Sequence, residues 1–179
     1  NGRPVFVRGA CWTATDMRSL EGTAESRKEI LTLARDAGLN MLRVGGTMTY
    51  ASDDLLEDCD ELGILVWQDF MFANLDYPFD DPGFRGEVEA EVTHHLRRLS
   101  RHACLAALCG GSEVEQQAAM MGLPARECCP PFLGETLSAM CETESKGLPY
   151  FSSTPTGGAL PFHTTTGITH YYGVGAYRR

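Results

Sequence analysis

An apolar run, Leu105-Ala106-Ala107-Leu108-Cys109, passes through Gly110-Gly111-Ser112 and delivers Glu113. A carboxyl group carried past a turn of small residues at the end of a buried strand is placed to move a proton. A partly desolvated position favours its protonated form near neutral pH, which a general acid needs. Read locally, the same Glu113 is also an acid in a helix's first turn, favoured there by the dipole. This segment alone leaves both readings open. Glu115 is the nearest rival carboxylate, but two positions farther along a helix it points away from Glu113's direction. His94 and His95 are adjacent, cannot share a helix face, and make no metal pair.

The elements that must position Glu113 form a repeating pattern. Short apolar or β-branched runs occur at 4–10, 39–44, 64–70, 104–109, 150–153 and 168–172, the texture of parallel strands covered on both faces. Helical spacing fills the gaps. The stretch 26–37 puts Ile30, Leu33, Ala34 and Ala37 on one face, with Gly38 as its stop. The stretch 52–62 opens on Ser52-Asp53-Asp54, carries Leu55, Leu56, Cys59 and Leu62, and ends at Gly63. The stretch 82–100 begins at Pro82 and has a buried stripe of Val88, Val92, Leu96 and Leu99. Shorter helices are expected at 112–121 and, after Pro130-Pro131, at 132–141.

Strands alternating with helices predict an α/β fold with a parallel sheet. No G-x-G-x-x-G or G-x-x-x-x-G-K-[ST] follows the first strand, so a nucleotide-binding fold lacks its signature. Instead, polar or aromatic residues mark the C-terminal ends of successive strands: Trp12 and Asp16, Arg43, Trp67 and Asp69, Glu113, Ser152 and Ser153, then His170 and Tyr171. In a (β/α)8 barrel those ends converge on one mouth, where chemistry is assembled from several strands.

With 179 residues, 43% of them hydrophobic, the chain has material for one core. Its net charge of −9, with 15 basic against 24 acidic residues, repels phosphate backbones and argues against nucleic acid as a partner. No apolar stretch reaches bilayer-spanning length and none has a signal-peptide layout, so no membrane partner is expected. The start at Asn1-Gly2 reads as a cut inside a longer chain. Seven cysteines lack any C-x-x-C spacing, and several sit in apolar runs. They read as reduced, buried thiols, the usage of a reducing, cytoplasmic compartment; the Cys128-Cys129 pair reads only as part of a loop.

Three segments carry a more specific resemblance: LNMLRVGGTMTY at 39–50, GILVWQDFMFANLDYP at 63–78 and CLAALCGGSEVEQQ at 104–117. Together with NGRPVFVRGACWTATD at 1–16, PYFSSTPTGGALP at 149–161 and THYYG at 169–173, they resemble glycoside hydrolase family 2, in particular its β-mannosidase-like barrels. The resemblance spans essentially the whole chain. It implies a (β/α)8 TIM-barrel glycosidase fold that is incomplete, with about six of eight βα units and residues 1–179 forming a partial catalytic domain.

Retaining glycosidases use one carboxyl group to protonate the leaving oxygen and a second as nucleophile. By the resemblance, Gly110-Gly111-Ser112-Glu113 matches the family's strand-four motif and makes Glu113 the acid/base. Where the family has an Asn before the acid/base that bonds the sugar's C2 hydroxyl, this chain has Ser112, whose hydroxyl would bind the sugar through a shorter-reach hydrogen bond, and an earlier Asn is Gly111. Arg43 would orient a catalytic carboxylate or form an ordinary salt bridge. Trp67 would floor a sugar subsite or pack in the core, and Asp69 would bond sugar hydroxyls or hold Arg43. His170 would bond sugar or the nucleophile; Trp12 and Asp16 would touch the rim or serve structure. The implied partner is carbohydrate, without cofactor or metal. By the resemblance, the family's nucleophile, a Glu on strand seven, and two barrel strands would be expected beyond Arg179, and the β-sandwich domains would be expected outside these residues. The reading is therefore a β-mannosidase-like exo-glycosidase in the longer protein, with β-galactosidase or β-glucuronidase specificity as rivals. The alternative is a catalytically silent fragment or a degenerate sugar-binding member.

Overall fold

The computed structural model describes residues 4–74, 76–161 and 163–171. Five strands, β1 (Gly9–Trp12), β2 (Met41–Val44), β3 (Leu65–Asp69), β4 (Leu105–Cys109) and β5 (Tyr150–Phe151), form one sheet in the order β1-β2-β3-β4-β5, every neighbouring pair parallel. A doubly wound sheet reverses its strand order at a switch point, whereas here each new strand is added to the same edge, as in a barrel wall.

The crossovers are α1 (Ala24–Asp36), α2 (Asp53–Leu62), α3 (Pro82–Leu99), α4 (Val114–Met120) and α5 (Leu137–Glu144), and their starts follow the local chemistry. Thr23 and Ser26 form a capping box on α1, Ser52 Oγ accepts from the Leu55 N–H, and Asp81 caps α3 just before Pro82. Gly63, at φ 69°, ends α2 in the left-handed conformation.

Period-two alternation divides β2 and β3 between two environments. Leu42, Val44, Val66 and the Gln68 side chain are buried toward the helices, where the core gathers Leu31, Leu56, Phe70, Val92, Leu96 and Leu137. Met41, Arg43, Leu65 and Trp67 occupy the opposite face and are only half-buried.

Several expectations shift. The first strand lies at Gly9–Trp12 rather than 4–10, with Phe6 exposed; the Asn40 side chain, not a ladder, ties down Phe6 O and the Arg8 N–H. On α1, Arg27 and Leu31 are buried while Ile30 and Leu33 are exposed. The Arg27 Nε bond to Asp58 on α2, at 2.7 Å, turns that face inward. The helix near 132–141 begins as a π-turn, Phe132–Thr136, and continues as α5 to Glu144. The sixth parallel strand does not form among the described residues: Ile168 pairs antiparallel with Thr156, the backbone through Tyr171 is irregular, and Tyr172 lies outside them. The described residues thus hold five parallel strands of the partial barrel, and Thr156 and Ile168 exchange two backbone hydrogen bonds with each other.

Candidate active site

At the C-terminal end of the sheet, side chains from β2, β3, β4 and the segment after β5 join one network. Asp69 ends β3 with no exposed surface, and three donors converge on it. Arg43 Nη2 lies 2.6 Å from Oδ2, Trp67 Nε1 2.8 Å from Oδ1, and the Gly46 N–H 3.2 Å from Oδ2. Burial opposes the Arg43 charge, but the hydrogen bond and negative charge of Asp69 outweigh it and lift the guanidinium pKa above its ordinary value. Arg43 is therefore fixed in register between two strands.

From Asp69 the guanidinium reaches outward. Arg43 Nη2 also donates to Thr154 Oγ1 at 2.5 Å and to Ser112 Oγ at 3.3 Å, while Nη1 lies 3.5 Å from His170 Nε2. The other ring nitrogen, His170 Nδ1, is 3.2 Å from Glu113 Oε1. A guanidinium only donates, so its partners place the His170 proton on Nδ1, where it is offered to Glu113. The result is one chain of contacts, Asp69–Arg43–His170–Glu113.

Glu113 is not within the helical turn. It is the N-cap of α4, in the left-handed conformation at φ 61° and ψ 12°. A non-glycine residue there stores on the order of 1–3 kcal/mol of strain, which its surroundings must hold. Its N–H donates to Thr154 O at 2.8 Å, and Thr154 N–H donates to Gly111 O at 3.0 Å. The two preceding glycines serve a different need from the sharp bend expected of them. Neither has a positive φ, but a Cβ on Gly110 would run into the Ser152 carbonyl, and one on Gly111 would come within 2.7 Å of Phe72 O. They let three strand ends approach closely.

Trp67 stacks on Phe151 of β5, with centroids 5.0 Å apart and planes 7° from parallel. One indole face is thus covered, and Trp67 joins Arg43, Thr154, Ile168 and His170 in lining a cleft of about 320 Å³. The structure therefore brings together Arg43, Trp67, Asp69, Ser112, Glu113 and His170. It leaves Trp12 apart: in the β1–β2 register Cys11 lies beside Arg43 while Trp12 lies beside Val44, on the opposite face and against the core. Asp16 accepts from the Arg18 and Ser19 N–H groups in its own exposed loop. Ser152 and Ser153 turn to Glu115, and Tyr171 is exposed.

Sequence reasoning did not find Thr154, Phe151 or Thr156. The available signal for Thr154 was Pro155, since a proline biases the residue before it away from the helical region.

No family model matches the chain. The chain is 33% identical to the β-mannosidase of Rattus norvegicus, in an alignment covering 96% of this chain and 22% of that protein. The crystal structure of the β-D-mannosidase from Dictyoglomus thermophilum superposes with a TM-score of 0.87 at 34% identity, over 96% of this chain and 21% of that one. A family 2 β-galacturonidase from Eisenbergiella tayi, 21% identical, shares the fold with a TM-score of 0.65 over 84% of this chain and 26% of that one. Fold and relatives together define an α/β segment of a partial glycosidase barrel. The chain is similar to β-mannosidases and to glycoside hydrolase family 2 enzymes over nearly its whole length, and it spans about 22% of the length of the curated relatives it matches.

Proposed function

We propose that residues 1–179 are part of the catalytic domain of a longer retaining glycosidase that removes terminal β-linked sugars, with β-mannosides as the preferred class. The observation that carries this reading is the unbroken contact chain from buried Asp69 through Arg43 and His170 to Glu113 at one end of the sheet. In this reading Glu113 protonates the departing glycosidic oxygen as that C–O bond breaks and a second carboxylate bonds to the anomeric carbon. Glu113 then takes a proton from the water that displaces the enzyme carboxylate. Arg43, Ser112 and His170 bound the sugar subsite, Trp67 forms part of its wall, and Asp69 holds Arg43. Trp12, packed on the other face, contributes through the core.

The second carboxylate is a Glu from a seventh strand outside these residues. Neither nearby rival can serve: Asp69 is buried under three donors, and Glu115 is tied to the hydroxyls of Ser152 and Thr156. The 179-residue chain alone is therefore expected to hydrolyse nothing. Aryl β-mannosides, β-galactosides and β-glucuronides assayed with the full-length protein test the reading. Mannoside turnover at least about tenfold above the other two is expected; no turnover of any aryl glycoside would overturn it.

A further inference from the structure

Two residues past Glu113, Glu115 is a carboxylate with 8% of its surface exposed. Burying such a group needs donors, and they come from a single segment. Ser152 Oγ donates to Oε1 at 2.5 Å and Thr156 Oγ1 to Oε2 at 2.8 Å, while the Glu115 N–H is 3.4 Å from Ser153 Oγ. The two carboxylate oxygens thus grip the segment after β5 at points four residues apart.

Between those points lies Thr154. Its carbonyl accepts the Glu113 N–H, its N–H reaches Gly111 O, and its hydroxyl accepts from Arg43. The residue that bridges the strained backbone of Glu113 to the Arg43 guanidinium is held from both sides by Glu115. If the grip is lost, the 152–156 segment is free to move. Glu113 then loses the partner that keeps it left-handed, and relaxation toward an ordinary helical conformation re-aims its carboxyl group.

We propose that Glu115 is a positioning residue: by clamping Ser152 and Thr156 it sets the conformation of Glu113 and the Thr154–Arg43 contact. The catalytic consequence rests on the reading of Glu113 as acid/base; the positioning itself does not.

Two measurements separate the two. The first is amide hydrogen exchange on the full-length protein and its Glu115→Ala and Glu115→Gln variants. Glu115→Ala is expected to speed exchange at the Glu113 and Thr154 amides by at least about tenfold, with the Val66 amide of the central sheet unchanged within about threefold. Glu115→Gln, which keeps one acceptor oxygen and the side-chain shape, is expected to recover most of that protection. Unchanged exchange at both amides would overturn the proposal, as would equal acceleration at Val66, since that is general destabilisation.

The second is kcat/KM of the full-length protein across aryl mannosides of increasing leaving-group pKa. Glu115→Ala is expected to lose more as the leaving group worsens, with KM within about threefold of the parent. An equal loss on every leaving group would overturn the catalytic part. Absence of turnover by the parent protein would instead defeat the glycosidase reading and leave the exchange result to decide the positioning.

Discussion

Arg43 and Asp69 stand on neighbouring parallel strands, and the guanidinium meets the carboxylate through Nη2 and Oδ2 at 2.6 Å and through Nε at 3.2 Å. One partner has no exposed surface and the other faces the cleft. A charge with a buried counter-ion behind it points in a fixed direction, and that direction places His170 and Thr154 around the site.

Every group around Asp69 is a donor: the guanidinium, the Trp67 indole N–H and the Gly46 N–H. An amide at this position must turn its NH2 toward one of them. Asp69→Asn is therefore expected to destabilise the chain by about 2–3 kcal/mol, somewhat below the cost of breaking a fully buried pair because Arg43 keeps some solvent. Urea denaturation measures it, and a loss under about 0.5 kcal/mol would contradict this account of Arg43.

His95 on α3 supplies a pH dependence. Its ring stacks on Tyr50 with centroids 3.5 Å apart, and Nδ1 is 3.1 Å from Arg98 Nη2. Burial first, then the Arg98 charge, lowers its pKa to about 4. The folded chain thus resists a proton that the unfolded chain binds below about pH 6.5. Stability falls as pH drops from about 6.5 to about 4 and gains nothing from this group above that window. Allowing for its partial exposure, the contribution is on the order of 1 kcal/mol. His95→Phe keeps a stacking ring and is expected to flatten the stability slope between those pH values; an unchanged slope would assign it to other groups.

Gly110→Ala puts a methyl group against the Ser152 carbonyl and the Tyr150 hydroxyl, where backbone rather than a flexible side chain must yield. A loss of at least about 2 kcal/mol is expected. Gly38→Ala, at φ 83° with open space around it, costs only backbone strain and is expected to lose about 1 kcal/mol. Equal losses at the two sites would show that crowding at the strand ends is not what requires Gly110.

Among the described residues, β1 and β5 each pair on one side only, and Val5 and Phe6 are exposed beside β1. Unpaired edges template further pairing. The isolated 179-residue chain is expected to self-associate at micromolar concentration in size-exclusion chromatography with light scattering; a monodisperse, cooperatively melting monomer would count against open edges.

Legibility in the sequence followed the range of the forces involved. Ser52, Asp81-Pro82 and Gly63 mark helix ends through bonds three or four residues away, and the stripe Val88, Val92, Leu96, Leu99 is buried as its spacing predicts. The face of α1 was misjudged because a charged residue, Arg27, is buried through a partner 31 positions away. At the site, strand ends pointed to Arg43, Asp69 and Glu113, since such positions converge in a barrel. The left-handed turn of Glu113 was not readable, because it depends on Thr154, 41 residues later. Nor was the placement of Trp12, which follows from a register that puts Cys11 beside Arg43. His170 reached the site from an irregular segment rather than from a strand, so its motif was a better guide than its expected element.

The most direct test of the central claim is Glu113→Gln in the full-length protein, assayed on aryl β-mannosides with good and poor leaving groups. Gln keeps the shape but carries no acidic proton. A fall of at least about a hundredfold is expected for poor leaving groups, with a much smaller effect on the bond-breaking step for good ones. Turnover of poor leaving groups at the parent rate would contradict the assignment of Glu113 as the proton donor.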